Sequence, residues 1–99
     1  MNLNLNCGNF ESELIVRKPL LDGIQYQFRF KNGYGASVVK HMGSYGHEVD
    51  LWELAVIKFN SENNGDWDLV YDTEITNDVL GYLDDDEVLD ILSDIRDLS

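Results

Sequence analysis

Ser44, His47 and Asp50 place a nucleophile, a base and an acid within seven residues of one another, the types that acyl transfer uses. A triad works through the geometry of its members, and three residues on one Gly-containing loop seldom hold it. Asn60, Glu62, Asn64, Gly65, Asp66 and Asp68 match positions 1, 3, 5, 6, 7 and 9 of a calcium-binding loop. Position 12, which needs a bidentate carboxylate, is Tyr71. A polar hairpin turn explains the Asn63-Asn64-Gly65 run without a metal. His41 and His47 are the two histidines, Cys7 is the single cysteine, and no CxxC, HExxH or HxH spacing occurs. Gly33-Tyr34-Gly35 lacks the following helix that a phosphate-binding glycine loop requires. The expectation is a non-enzymatic protein with no metal and no cofactor.

Acid dominates what remains. Residues 1–50 hold five acids and five bases, whereas residues 51–99 hold fourteen acids and only Lys58 and Arg96, so the second half carries the whole net charge of −12. Such a surface repels nucleic acid and anionic membranes and attracts basic protein surfaces. Asp86, Asp90, Asp94 and Asp97 recur at helical spacing, with Asp85 beside them. On a helix, carboxylates four residues apart stand about 6 Å apart along the axis. The row can therefore imitate a nucleic-acid backbone in a groove shaped for one. Asp66, Asp68, Asp72, Glu74 and Asp78 extend the patch if they share its face. The competing reading is a solvated face that keeps a small protein soluble.

The elements that must position these residues follow from periodicity. Residues 11–18 form a strand ended by Pro19. Ile24, Tyr26, Phe28 and Phe30 alternate with Gln25, Gln27 and Arg29, the mark of a half-buried strand. Asn32-Gly33 then signals a two-residue type I′ hairpin turn, with a return strand Tyr34 to Met42. After the loop Gly43 to Asp50, the nearly continuous apolar run Leu51 to Phe59 reads as a central strand. A turn, Asn60 to Gly65, leads to a strand Trp67 to Tyr71. Thr76 or Asn77 caps a short helical turn through Leu80, stopped by Gly81. Asp84 followed by Glu87 starts an amphipathic helix over 85–97, with Val88, Ile91, Leu92, Ile95 and Leu98 on its apolar side.

Strands first and a helix last predict a single domain, 1–99, of the α+β class: about five antiparallel strands with the C-terminal helix packed on one face. The expected core is Ile24, Tyr26, Phe28, Phe30, Val39, Leu54, Val56, Leu69, Val88, Leu92 and Ile95. Tyr34, Tyr45, Trp52, Trp67, Tyr71 and Tyr82 exceed what one small core needs, and those left exposed are candidate anchors at a protein interface. Met1 to Asn6 has neither the basic nor the apolar region of an export signal. No apolar stretch is long enough to span a bilayer, so a cytoplasmic protein without membrane contact is expected.

Three segments, Asn32 to His41 (NGYGASVVKH), Leu51 to Val56 (LWELAV) and Tyr71 to Leu83 (YDTEITNDVLGYL), together resemble a family of small uncharacterised proteins encoded by phages and prophages of Gram-positive and gut bacteria. The resemblance spans about residues 28–98. Glu74 stands where that pattern commonly has proline. No activity comes with the family, so no functional residue is carried over. What the resemblance implies is a small phage protein acting in the cytoplasm of a bacterial host. The resulting expectation is an acidic protein that binds a host protein with a basic surface and blocks a nucleic-acid-handling or defence protein, in the manner of anti-CRISPR or anti-restriction proteins, without binding nucleic acid itself. The alternative is a phage accessory or assembly protein that self-associates, as a homodimer or larger, with acidity serving only solubility.

Overall fold

In a computed structural model, residues 2–59, 67–70, 73, 75 and 79–98 are described. The architecture is α+β, an antiparallel six-stranded sheet with one C-terminal helix against it. The strands are β1 (Leu14–Leu20), β2 (Gly23–Arg29), β3 (Tyr34–Lys40), β4 (Trp52–Phe59), β5 (Trp67–Leu69) and β6 (Leu80–Leu83), followed by α1 (Asp85–Arg96). The first four lie side by side in chain order, and the last two share the outer edge of β4. There β5 pairs with Ile57–Phe59 and β6 with Trp52–Leu54.

The core lies between the sheet and α1. Alternation aims Ile24, Tyr26 and Phe28 of β2, Ala36 and Val38 of β3, and Trp52, Leu54 and Val56 of β4 to one side. Val88, Leu92 and Ile95 of α1 close over them, fully buried. The N-terminal segment adds Leu5, Cys7 and Phe10. Apart from Leu69, the expected core residues are all buried, although Val39 is buried on the far face of the sheet. Leu69 is 45 % exposed. Its register partner is Ile57, which points opposite to Val56, so a strand's strict period of two carries Leu69 to the other face.

That far face is not the solvent side that Gln25 and Gln27 suggest. Both are buried in a chain of hydrogen bonds. Trp67 Nε1 donates to Gln27 Oε1 (3.2 Å), Gln27 Nε2 to Gln25 Oε1 (3.1 Å), and Gln25 Nε2 to Ser37 Oγ (2.8 Å). Every link is satisfied, which is the condition for burying amides at tolerable cost.

Several local expectations are corrected. Residues 8–13 form a 3-10 helix, so the first strand begins at Leu14 and runs through Pro19 to Leu20. Edge position makes this tolerable, because the N–H that proline lacks can be one that faces away from the ladder. The return strand stops at Lys40. The Asn32-Gly33 turn is a three-residue loop, Lys31-Asn32-Gly33, in which Gly33 alone has a left-handed φ (88°), so it is not type I′. Asn32 acts through its side chain: Nδ2 is shared among the carbonyls of Ile95, Arg96 and Leu98 at 2.9–3.1 Å, capping the end of α1. Leu80, expected to end a short helical turn, is instead the first residue of β6. Its cap candidates Thr76 and Asn77 lie outside the described residues, as does the turn Asn60 to Gly65. At the start of α1 the capping box is complete, with Glu87 N donating to Asp84 Oδ1 (2.8 Å) and Asp84 N to Glu87 Oε1 (3.1 Å). No helix among the described residues is long and apolar enough to cross a membrane.

Candidate functional site

Burial of Val88, Leu92 and Ile95 fixes the rotation of α1. Asp86, Asp90, Asp94 and Asp97 are thereby left exposed. Of these, only Asp97 has a cationic neighbour among the described residues, Arg96 Nε at 3.5 Å. Asp85 behaves differently. It turns inward, accepting from Trp52 Nε1 (2.8 Å) and from the backbone N–H of Asn6 (3.1 Å), so it ties the N-terminal segment and β4 to the start of α1. Asp68 is exposed on β5, opposite Lys58 in the register and on a different element from the helical row. Asp66, Asp72, Glu74 and Asp78 lie outside the described residues.

Asp86, Asp90 and Asp94 have no ion pair among the described residues. Five of the seven bases lie over aromatic rings: Arg17 over Tyr26 (5.5 Å), Arg29 over Phe59 (4.9 Å), Lys40 over Trp52 (4.1 Å), Lys58 over Tyr34 (5.1 Å) and Arg96 over Phe10 (5.5 Å). Lys40 is the extreme case, 2 % exposed. Its Nζ donates to the Asn2 carbonyl (2.8 Å) and Asp50 Oδ1 (3.0 Å). Asp50 also accepts from Asn2 N (2.7 Å), and that bond, followed by the one from Lys40, holds its carboxyl below the usual range.

The Ser44, His47 and Asp50 side chains make no contact with one another that would build a charge relay. Ser44 Oγ donates to the His41 carbonyl (2.8 Å) and accepts from His41 N (3.1 Å). His47 Nδ1 meets the Ser44 carbonyl (2.8 Å), not its hydroxyl. Asp50 is committed to Lys40 and Asn2. Burial pushes the Cys7 thiol up to about 11, aided by Glu11 and Asp85, which keeps it protonated and unreactive near neutrality. No cluster of three or more metal-ligating side chains occurs among the described residues.

A hollow of about 530 Å³ is lined by Ser12, Glu13, Arg29, Phe30, Lys31, Asn32 and Arg96. Its three bases suggest an anion. However, Glu13 faces the same space, the negative end of α1 closes it, and Arg96 is already bonded to Ser93 Oγ (3.0 Å). The hollow therefore makes a poor anion site.

Another surface forms where β2 begins and β3 ends. The connection from His41 to Leu51 folds over the start of β4 and packs against β6. Tyr82 N donates to the Tyr45 carbonyl (3.3 Å), and the neighbouring Glu48 carboxylate raises the Tyr82 phenol's pKa, while Glu48's own backbone N–H, followed by the Tyr82 hydroxyl, holds the acid's below its usual value. Gly81 and Gly46 permit this approach. A Cβ on Gly81 would fall 2.5 Å from Tyr45 Cβ, and one on Gly46 would fall 3.0 Å from Tyr82 Cα. Of the aromatic residues proposed as anchors, Tyr45 and Tyr82 are exposed, Trp52 is buried in the core, and Tyr34 and Trp67 are half-buried. Tyr71 lies outside the described residues. No protein-family model, curated protein or solved structure matches the chain.

Proposed function

We propose that this protein is a non-catalytic binding module that engages a basic surface on another protein through the outer face of α1. It thereby occupies a site that would otherwise hold a nucleic-acid backbone. The observation that carries the reading is the row Asp86, Asp90 and Asp94, exposed and without an ion pair among the described residues, while five of seven bases lie over aromatic rings. Like charges four residues apart weaken a helix by about 0.2–0.5 kcal/mol per pair, so the row is not there for the helix's own stability. The resemblance to phage and prophage proteins supplies a setting, the cytoplasm of a bacterial host. It also supplies a class of partner, a nucleic-acid-handling or defence protein.

A second reading has the acid serve only solubility while the chain pairs with its own copies. The apolar side chains exposed around Tyr82 favour it. Capture from host lysate by the tagged full chain, at low and at moderate salt, separates the two. The first reading expects one basic nucleic-acid-binding protein, lost as salt rises. Recovery of the bait alone, sizing as a dimer at both salt concentrations, contradicts it.

A further inference from the structure

The charged row does not account for the other end of the molecule. Leu21, Met42, Tyr45, Val49 and Tyr82 are each between 53 and 78 % exposed, and they come from the three segments that meet there: the β1–β2 turn, the 41–51 connection and β6. They make up five of the seven large hydrophobic residues exposed among the described residues. Scattered exposed apolar side chains need no explanation, but a cluster at one end of a small sheet does.

Backbone conformation is an independent observation at the same place. Among the described residues, the non-glycine positions with left-handed φ are Leu21 (54°), Asp50 (63°) and Tyr82 (58°), and all three belong to this end. Left-handed backbone is unfavourable for a bulky L-residue, and glycine would relieve it. The left-handed positions at Gly33, Gly43 and Gly46 do use glycine. Leu21 sits in the two-residue turn between β1 and β2 and Tyr82 at the register shift between β4 and β6, places that call for left-handed backbone, and each fills the position with a large side chain that the core does not use. Such strain persists where the surroundings impose it and concentrates at binding sites.

The platform is also held firm. Met42 N donates to Asp22 Oδ1 (2.8 Å), Tyr45 N to Glu53 Oε1 (3.1 Å), Leu51 N to the Gly46 carbonyl (2.9 Å), and Lys40 anchors Asp50 beneath it. A pre-ordered apolar cluster loses little entropy on binding. We infer that this end of the sheet, centred on Tyr45 and Tyr82, is the apolar hot spot for a protein partner whose complementary site is an apolar pocket ringed by Lys and Arg. The inference rests on the proposed binding function and adds to the charged helix the contact that fixes affinity. The rim supplies the charge complementarity. Asp22, Glu48 and Asp84 are exposed around or beside the cluster, Glu48 with His47 Nδ1 at 3.2 Å. Two copies meeting here through a twofold axis would set these acids against one another, which disfavours a second copy as the occupant.

The test uses the immobilised full chain to select from a displayed library of random short peptides, with the winning peptides resynthesised as probes. Three variants are compared with the natural chain. Leu21→Gly/Met42→Ser/Tyr82→Gly strips the cluster at sites where glycine suits the backbone, and Asp86→Asn/Asp90→Asn/Asp94→Asn strips the helix. Met42→Ser/Val49→Ser is a milder control should the first variant not fold. The expected result is peptides that combine an aromatic or aliphatic cluster with Lys or Arg, weakened about tenfold or more by either cluster variant, with the melting temperature kept. Purely basic peptides lost only in the helix variant overturn the hot spot and leave the helical reading standing. Peptides insensitive to all variants overturn both. No peptide, with a dimer that the cluster variants dissociate, overturns the choice of occupant.

Discussion

The outer face of α1 and the loop end around Tyr82 are both left over once the fold has satisfied itself, yet they are left over in opposite ways. The helical face is regular and carries charge without apolar content, so each carboxylate could be exchanged for another polar group with little structural consequence. The loop end carries apolar side chains on left-handed backbone at Leu21 and Tyr82, closed by glycines that leave no room for a Cβ. Solubility alone can explain the first surface and cannot explain the second. Charge of this kind governs encounter and salt dependence, whereas buried aromatic contact governs lifetime and affinity.

The contrast breaks most severely at the support beneath the loop end. Lys40→Ala removes a buried stem from against Trp52 and leaves the Asn2 carbonyl without its donor, at a cost of about 2–4 kcal/mol. Urea denaturation checks the loss. Native-state hydrogen exchange should show the 41–51 connection opening before α1. The same support has an acid signature. Asp50's native pKa lies below its ordinary value of 3.8, so its contribution is complete above that value and is lost as pH falls through the depressed one. Stability should therefore decline with acid below about pH 4, and less steeply in Lys40→Ala, where part of the depression is gone.

Asn32→Ala acts at the opposite end. It removes the cap shared by three carbonyls of α1 and the acceptor for Tyr34 N, for a loss of about 1–2 kcal/mol by thermal or chemical melting. The helix C-terminus should fray while the surface around Tyr82 keeps its exchange protection. Equal disturbance of both regions would show that they are not independent.

These two residues also mark what the sequence could and could not disclose. Asn32-Gly33 is legible as a turn because glycine is needed for positive φ. That Asn32 caps a helix more than sixty residues later is not, because the partner arrives only through the tertiary fold. The Asp84 and Glu87 capping box and the apolar stripe of α1 are local patterns, and both are realised. Lys40 reads as a surface residue until Asn2 and Asp50 converge on it. Gln25 and Gln27 read as solvent-facing until Trp67 lies over them. Asp85 belongs by type to the acidic row, yet the Trp52 indole and the Asn6 amide draw it inward. β6 has no local signature, because its four residues form a strand only by pairing with β4. Of the two surfaces, the charged row is visible as a spacing. The apolar one is a meeting of three distant segments, of which the surplus of tyrosines gave the only hint.

Smaller effects sharpen the comparison. Asp90→Asn and Asp94→Asn, singly, should raise stability by about 0.2–0.5 kcal/mol for each like-charge pair removed, detectable as a small rise in denaturation midpoint that added salt abolishes. Tyr82→Gly should leave the melting temperature unchanged or slightly higher, because glycine accepts φ of 58° while the lost ring is more than half exposed. A marked fall in melting temperature would make Tyr82 a structural residue and not a presented one.

The most direct measurement is capture of the proposed basic partner by the natural chain and by Asp86→Asn/Asp90→Asn/Asp94→Asn, side by side in the same bacterial lysate at low salt. The binding account expects the variant to fold at least as well as the natural chain and to lose the captured protein. Equal recovery by both chains would contradict the assignment of the acidic face of α1 as the contact surface.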